Sequence, residues 1–142
     1  MAYSAQTDIL EQIDEDVLIQ LTDDDDTGVV DADVVTKKIA DADALIDGYC
    51  GKRYTVPFFP VPPLLNKFSV DIAIYNLYGR RKGAPEDIRN RFKEAVDFLK
   101  GVAKGDNALG EDDPEGTGTG DAPEMSTSNP VRIFTRGKMS GY

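Results

Sequence analysis

The chain has 142 residues, and 40% of them are hydrophobic, which is enough to build the core of one domain. It contains no histidine and a single cysteine, so Ser-His and Cys-His nucleophile pairs and the common zinc sites are excluded. A formal net charge of −10 disfavours a protein that coats nucleic acid. We see no long apolar run and no signal peptide, which predicts a soluble, intracellular protein.

The first thirty residues predict two short helices and an acidic turn. Ser4 is placed to cap a helix over residues 5–13, and a second short helix is expected over residues 15–21. Residues 23–28, DDDDTG, favour a turn, because adjacent carboxylates repel and glycine frees the backbone. As a calcium loop this turn would place Val34 at the twelfth position, where a bidentate glutamate is required. We therefore expect a solvated acidic loop and no metal site.

The strongest amphipathic pattern follows the acidic turn and predicts a long helix that starts at Asp31. Cys50 lies at the end of its apolar face, where a buried small residue is a better interpretation than a nucleophile. The apolar face repeats at steps of three and four residues and comprises Val35, Ile39, Ala42, Ile46 and Tyr49.

Residues 52–63 are proline-rich and cannot continue that helix. Four prolines within seven positions require an extended, irregular path. Phe58 and Phe59 are too apolar for a free linker, so we expect this segment to lie across the helices as a belt.

Two further helices complete the predicted domain. A proline pair precedes residues 64–78, which are apolar on nearly every side and predict a central, enclosed helix. The last helix is expected to open at Pro85 and to close at Gly105. The sequence therefore predicts a mainly α fold: a bundle of about four to five helices in residues 1–104, with a proline-rich extended belt and an extended C-terminal tail. The apolar face of the last helix comprises Ile88, Phe92, Ala95, Leu99 and Val102.

Charge is distributed unevenly along this predicted domain. Residues 1–51 hold 14 acidic residues and two lysines, whereas residues 64–104 hold nine basic and five acidic residues. An acidic half and a basic half suit head-to-tail contact between copies, and the alternative is that both faces are simply solvated.

The break before the last helix carries the basic cluster of the chain. Such a cluster can meet an acidic protein surface, the phosphates of a nucleic acid, or only water. We expect a protein contact through Arg80, Arg81 and Lys82, because the net charge disfavours nucleic acid, and a solvated face is the open alternative. The cluster also includes Arg89, Arg91 and Lys93.

The composition changes after the predicted helices. Residues 105–130 are rich in Gly, Asp, Glu, Pro, Ser and Thr, which predicts a flexible acidic linker with a reach of roughly 25–30 Å. Residues 131–142 then form a candidate docking segment, because apolar and basic residues alternate over its first six positions, VRIFTR, as in a strand. We expect this segment to bind a partner or a neighbouring copy; folding back onto its own helices and disorder are the alternatives. The residues expected to make the contact are Val131, Arg132, Ile133, Phe134 and Arg136.

Several stretches together resemble the head–tail connector (neck adaptor, head-completion) proteins of Mu-like phages and prophages. The block over residues 42–65 is the most specific part of the resemblance, which covers nearly all of residues 1–104 together with the closing residues 132–136. The stretches that carry it are LIQLTD at 18–23, ADALIDGY at 42–49, RY at 53–54, VPPLL at 61–65, DIA at 71–73, LYGRR at 77–81 and RIFTR at 132–136.

The resemblance implies a helical subunit whose copies form a twelvefold ring under the portal of the filled capsid. Such a ring extends the DNA channel and offers a docking surface to the next neck or tail component. The implied partners are other copies of the chain, the portal protein and the next neck or tail-completion protein. DNA is implied to pass through the channel without sequence-specific binding, and no membrane contact is implied. The implied location is the neck of the virion, with the host cytoplasm during assembly. No cofactor and no catalytic motif are implied.

Two other classes of function stay open at this point. One is a small acidic regulatory or inhibitor module that occupies a cationic surface of another protein, and self-association separates this module from a connector. The other is a carboxylate-based hydrolase that uses Mg²⁺, for which Asp71 is the acid placed within the apolar helix. We expect a protein that is not an enzyme.

Overall fold

The computed structural model describes residues 2–81 and 83–109, and it confirms the predicted mainly α fold. The chain divides after Leu109 into two units, and the second unit, Gly110–Tyr142, lies outside the described residues. Within the described part there are five helices and no strand: α1 (Gln6–Leu10), α2 (Glu15–Thr22), α3 (Ala32–Cys50), α4 (Pro63–Gly79) and α5 (Glu86–Lys104).

The centre of the domain is α4, as its apolar sequence predicts. It packs against α3 on one side and α5 on another, and the short helices α1 and α2 contact both α3 and α4. Burial of each large apolar side chain contributes about 1.5–3 kcal/mol relative to exposure, so this helix supplies much of the hydrophobic stabilisation. The buried residues of α4 are Leu65, Phe68, Ser69, Val70, Asp71, Ile72, Ala73, Ile74 and Leu77.

The ends of the two longest amphipathic helices follow the capping rules that the sequence suggests. The side chain of Asp31 accepts hydrogen bonds from the backbone N–H groups of Asp33 and Val34, at 3.0 and 3.3 Å, and so caps α3. Gly105 adopts a left-handed conformation with φ of 94°, and this ends α5. Both predicted positions are confirmed.

The predicted cap of the first helix is wrong. α1 begins after Ala5, whose backbone N–H donates to a carboxylate oxygen of Asp8 at 2.9 Å. Ser4 instead lies buried, with its hydroxyl 2.8 Å from the hydroxyl of Ser69 on α4. A hydroxyl pair inside the core satisfies both groups there, so Ser4 is not available to cap the helix.

The proline-rich belt between α3 and α4 contains neither helix nor strand. Tyr54 is buried, and the ring of Phe58 packs against the rings of Tyr3 and Tyr54 with centroid distances of 6.1 and 5.6 Å. One side of the belt is therefore fixed to the domain, in agreement with the predicted path across the helices. Phe59, in contrast, points away from the domain and is 78% exposed.

The packed chain continues beyond α5. Leu109 is buried, and its backbone N–H donates to the hydroxyl of Tyr54 at 3.1 Å. The first residues of the predicted linker thus pack on the helical unit. Residues 110–130 of that linker, the docking segment at 131–142 and Lys82 lie outside the described residues, so the predictions made for them stay predictions.

Candidate functional site

Two arginines at the C-terminal end of α4 contact the acidic turn that follows α2. Arg80 donates to the backbone oxygen of Leu21, and its Nη2 lies 2.6 Å from Oδ2 of Asp24. Arg81 Nη2 lies 2.6 Å from Oδ1 of Asp24 and 3.0 Å from the backbone oxygen of Asp23. One carboxylate therefore bridges two guanidinium groups within the same chain, an arrangement that we call the arginine clamp.

The acidic turn is also held by its own first residue. The carboxylate of Asp23 accepts hydrogen bonds from the N–H of Thr27 at 2.9 Å and from the N–H of Gly28 at 2.6 Å. These bonds to the charged form hold the pKa of Asp23 below its ordinary value of 3.8. Over residues 2–81 and 83–109 no three acidic or cysteine side chains lie close enough together to hold a metal ion.

The arginine clamp contains two of the basic residues that were predicted to contact a partner. Arg80 and Arg81 come together on Asp24, with 22% and 37% of their side chains exposed. Their contact with a partner protein stays a prediction, because the contacts seen here lie within one chain. The other predicted contact residues, Lys82 and the docking segment with Val131, Arg132, Ile133, Phe134 and Arg136, are outside the described residues.

A buried polar cluster attaches the N-terminal segment to α3 and α4. The N–H of Tyr3 donates to Asp43 Oδ2 at 3.0 Å, and the hydroxyl of Tyr3 donates to Asp47. Ser69 donates its hydroxyl to Asp43 Oδ1 at 2.8 Å, so the hydroxyl of Ser4 must be the donor to Ser69. Both oxygens of the Asp43 carboxylate are therefore hydrogen-bonded inside the domain.

Burial raises the pKa of three groups in this part of the domain. Burial raises the pKa of Asp43, although the bonds from Tyr3 and Ser69 oppose the rise. Burial and the bond to Asp47 raise the pKa of Tyr3 well above its ordinary value. Burial also raises the pKa of Cys50 to about 12, so its thiol is protonated near neutral pH and is a poor nucleophile.

The residues predicted for the apolar face of α3 do not include Asp43, so the sequence interpretation missed it. Asp43 is only 8% exposed. Its spacing carries a signal: it lies four residues after Ile39 and three before Ile46, so it shares their face of the helix. The partner that makes this burial tolerable, the N–H of Tyr3, comes from 40 residues away and has no signal in the local pattern.

An apolar groove of about 500 Å³ runs along the outer side of α3, beside the N-terminal segment. Val35 and Ile39 are its buried apolar residues, and Ala40 and Ala44 are exposed small residues that leave it open. We call it the α3 groove. It is also lined by Ala2, Ser4, Ala5, Gln6, Thr36, Asp43 and Asp47.

Phe59 and its neighbours form an exposed apolar projection on the belt. Pro57 and Pro60 beside it are exposed as well. The other large hydrophobic side chain that is exposed in the described ranges is Val29, at 60%, in the acidic turn region. Residues 48–70 contain three basic residues and no acidic one, so the projection, which we call the Phe59 knob, lies in a basic stretch of the chain.

Within residues 2–81 and 83–109, none of the five helices combines the length and the apolar character needed to cross a bilayer.

Comparison with known proteins relates the chain to a phage protein family. A family model described as "Bacteriophage Mu, Gp36" matches residues 3–127. A protein of Haemophilus influenzae described as "Mu-like prophage FluMu protein gp36" is 35% identical over 83 residues, which are 58% of this chain and 57% of that protein. The chain thus aligns with little more than half the length of this relative. Since the family match covers all five helices and most of the chain, the protein belongs to the Bacteriophage Mu Gp36 family and is a Mu-like phage protein.

Proposed function

We propose that the protein is a structural head–tail connector subunit of a tailed phage. Its copies form a ring under the portal, which extends the DNA channel and joins the head to the neck and tail. Membership of a Mu-like phage family supports this role. The resemblance to connectors is most specific over residues 42–65, the block that contains the end of α3 and the belt with its exposed phenylalanine.

The observation that carries the proposal is the Phe59 knob. Phe59 is 78% exposed, yet the belt around it is anchored by the buried ring of Tyr54 and by a hydrogen bond from the N–H of Phe58 to the hydroxyl of Tyr3, at 3.1 Å. A large apolar group that is held out towards solvent by a fixed backbone is the kind of anchor that protein interfaces use. Fixing it in advance lowers the entropic cost of the contact.

The charges of the domain support association between copies. Residues 1–31 contain ten acidic residues and no basic one, while residues 64–104 are basic in sum. Opposite charges on different parts of one subunit favour contact between unlike surfaces of neighbouring copies. A ring requires such head-to-tail contact.

The buried acids of the domain support a role without catalysis. Asp43 is hydrogen-bonded to Tyr3 and Ser69. Asp71 lies 2.8 Å from the ammonium group of Lys67 on the same helix. Each of these two carboxylates thus has a partner within the domain, whereas a carboxylate hydrolase needs paired acids that act on a substrate.

The proposed role defines partners and location. The partners are other copies of the chain, the portal protein and the next neck or tail-completion protein, and DNA passes through the ring without sequence-specific contacts. The protein lies in the neck of the virion, and in the host cytoplasm during assembly. It requires no cofactor.

Deletion of the gene from the phage tests this proposal. We expect lysates of the deleted phage to contain DNA-filled heads and separate tails, and very few joined particles, in electron micrographs. Supplying the wild-type chain from a plasmid should restore joined particles. A normal yield of joined, infectious particles without the protein would rule out the connector role.

The acidity of residues 1–31 favours one alternative, a small module that binds and blocks a cationic protein surface. That function predicts a monomer in a one-to-one complex with its target and its absence from finished particles. Fractionation of an infected-cell lysate distinguishes the two, because a connector sediments with heads.

A further inference from the structure

We infer that the Phe59 knob of one copy inserts into the α3 groove of the next copy. The inference rests on the proposed function, since it assumes that copies assemble, and it adds which surfaces meet. The two surfaces belong to different parts of the same chain, and the high exposure of Phe59 means that its own groove does not receive it.

The size and lining of the groove suit an aromatic side chain. Its volume of about 500 Å³ falls in the range of roughly 300–1,000 Å³ that is usual for small-molecule sites, so it has room for a phenyl ring. Val35 and Ile39 supply buried apolar atoms, while Ala40 and Ala44 leave space above the helix. A phenyl ring that enters such a groove removes apolar surface from water on both partners.

The charges around the two surfaces are complementary. The lining of the α3 groove includes Asp43 and Asp47, and none of the described residues that line it is basic. The knob lies in the stretch without acids, where Lys52 is exposed and Arg53 contacts the backbone oxygen of Val102 at 3.4 Å. The stretch of chain that carries the knob and the lining of the groove are therefore of opposite charge, which favours their contact.

A second groove of similar volume is a poorer receptor for the knob. It is lined by residues of α3, α4 and α5, among them Lys38, Asp41 and Arg80. Lys38 pairs with Asp41 at 3.4 Å and Arg80 pairs with Asp24 at 2.6 Å, so the charges of this groove are neutralised within the chain and it offers no excess of negative charge to a basic segment. The charge balance thus selects the α3 groove.

The contact has a consequence for assembly. Because the knob and the groove are different surfaces, each copy that uses its knob on one neighbour still offers its groove to another. Such heterologous contacts close into a ring when the rotation between copies permits it, as the proposed function requires.

Matched substitutions test the contribution of the knob. We expect Phe59→Asp to weaken self-association by about tenfold or more in analytical ultracentrifugation. Ala40→Gln should weaken it similarly, because the longer side chain occupies the groove. Val29→Asp is the control, since it changes the other exposed large hydrophobic residue and should leave association within twofold of wild type. Unchanged association of Phe59→Asp, with helix content as in the wild type, would overturn the inference.

Cross-linking tests which surfaces meet. Phe59→Cys and Ala40→Cys copies are prepared separately, mixed at high concentration and treated with a short bismaleimide reagent. Cys50 is fully buried, so the wild-type chain provides the unreacted baseline. We expect cross-linked pairs in the mixture and not in either variant alone. Cross-linking of the Phe59→Cys variant with itself would indicate a symmetric contact and contradict the inference.

The outcomes also separate this inference from the connector role. If wild-type copies associate but the mixture gives no cross-linked pair, the knob and groove assignment is wrong while the connector role stands. If wild-type copies associate neither in solution nor in phage particles, the connector role fails and the inference fails with it.

Discussion

Asp43 is the residue on which the N-terminal attachment of the domain depends. Its carboxylate accepts the N–H of Tyr3 with one oxygen and the hydroxyl of Ser69 with the other, and it is 8% exposed. A charged group in this setting is tolerated because both of its oxygens have donors.

Asp43→Asn should destabilise the domain. The amide offers one acceptor oxygen and an NH₂ group, so one of the two buried donors is left facing another donor. We expect a loss of about 1–3 kcal/mol in the free energy of unfolding, measured by urea denaturation. Asp41→Asn is the matched control, because Asp41 is exposed and makes only a 3.4 Å pair with Lys38. Its expected change is below about 0.5 kcal/mol.

The difference in stability between wild type and Asp43→Asn should depend on pH. The pKa of Asp43 is raised above its ordinary value of 3.8 in the folded state, so the folded chain binds this proton more tightly than the unfolded chain does. The contribution of Asp43 to stability therefore falls as pH rises from about 3.8 through the folded pKa. The stability advantage of wild type over Asp43→Asn should be larger at acidic pH and decrease across that window. An advantage that increases with pH would mean that the folded pKa is lowered.

The N-terminal contacts show where local sequence patterns stop being informative. The start of α3 at Asp31 is predicted correctly from the local pattern, and its cap depends only on residues two and three positions away. Ser4 takes a partner 65 residues away, Ser69, and Asp43 takes a partner 40 residues away, Tyr3. A pattern within one helix therefore cannot assign the roles of Ser4 and Asp43.

At the scale of elements, the arginine clamp joins the end of α4 to the acidic turn. Asp24 is about half exposed, and exposed ion pairs contribute roughly 0–1 kcal/mol each. The clamp is therefore expected to order the turn more than it stabilises the whole domain.

Asp24→Asn tests this view. We expect a loss of less than about 1 kcal/mol in global stability but faster amide hydrogen exchange over residues 23–28, since neither arginine then has a charged partner there. The exchange difference should shrink at high salt, which screens the wild-type pairs. Asp25→Asn, at an exposed neighbouring position, should leave the exchange rates of the turn unchanged. Equal exchange in Asp24→Asn and wild type would show that the clamp does not order the turn.

Substitution by alanine should have opposite effects on stability at a glycine inside α3 and at the glycine that ends α5. Gly48 is inside α3 and has open space where a Cβ would be, so Gly48→Ala should stabilise the domain by roughly 0.5–1 kcal/mol. Gly105 has a φ of 94°, so Gly105→Ala should destabilise it by about 1 kcal/mol. Thermal unfolding measures both, and effects of the same sign would contradict the conformations assigned here.

The helices themselves could be predicted because their cause is local. Apolar residues repeat every three or four positions in α3 and α5, and α4 is apolar around nearly its whole circumference. The contact between the end of α4 and the acidic turn could not be predicted in this way. The basic cluster was visible in the sequence, but its intramolecular partner Asp24 lies more than fifty residues earlier and becomes a neighbour only through the fold.

At the scale of the whole molecule, the predicted docking segment leads to a truncation experiment. Removing residues 131–142 should leave the thermal unfolding of the helical domain nearly unchanged, because the described residues already pack into one buried apolar cluster. It should weaken assembly with partners. Removing only residues 137–142, which spares Val131 to Arg136, is the control and should preserve assembly. A collapse of thermal stability in the longer deletion would mean that the segment belongs to the core.

The candidate interface could be predicted only in part. The apolar character of Phe58 and Phe59 is evident from the sequence, but not that Phe58 packs inward while Phe59 projects outward. The α3 groove has no signature in the sequence either, because it arises where the N-terminal segment lies beside the helix. Surfaces of this kind depend on how elements pack and not on the pattern within any one of them.

Imaging of the complete phage particle tests the connector role most directly. Electron cryomicroscopy of purified particles should show a ring of density at the head–tail junction, beneath the portal, into which copies of the five-helix domain fit. Particles that lack this chain, or density for the domain at any other place in the particle, would contradict the connector role.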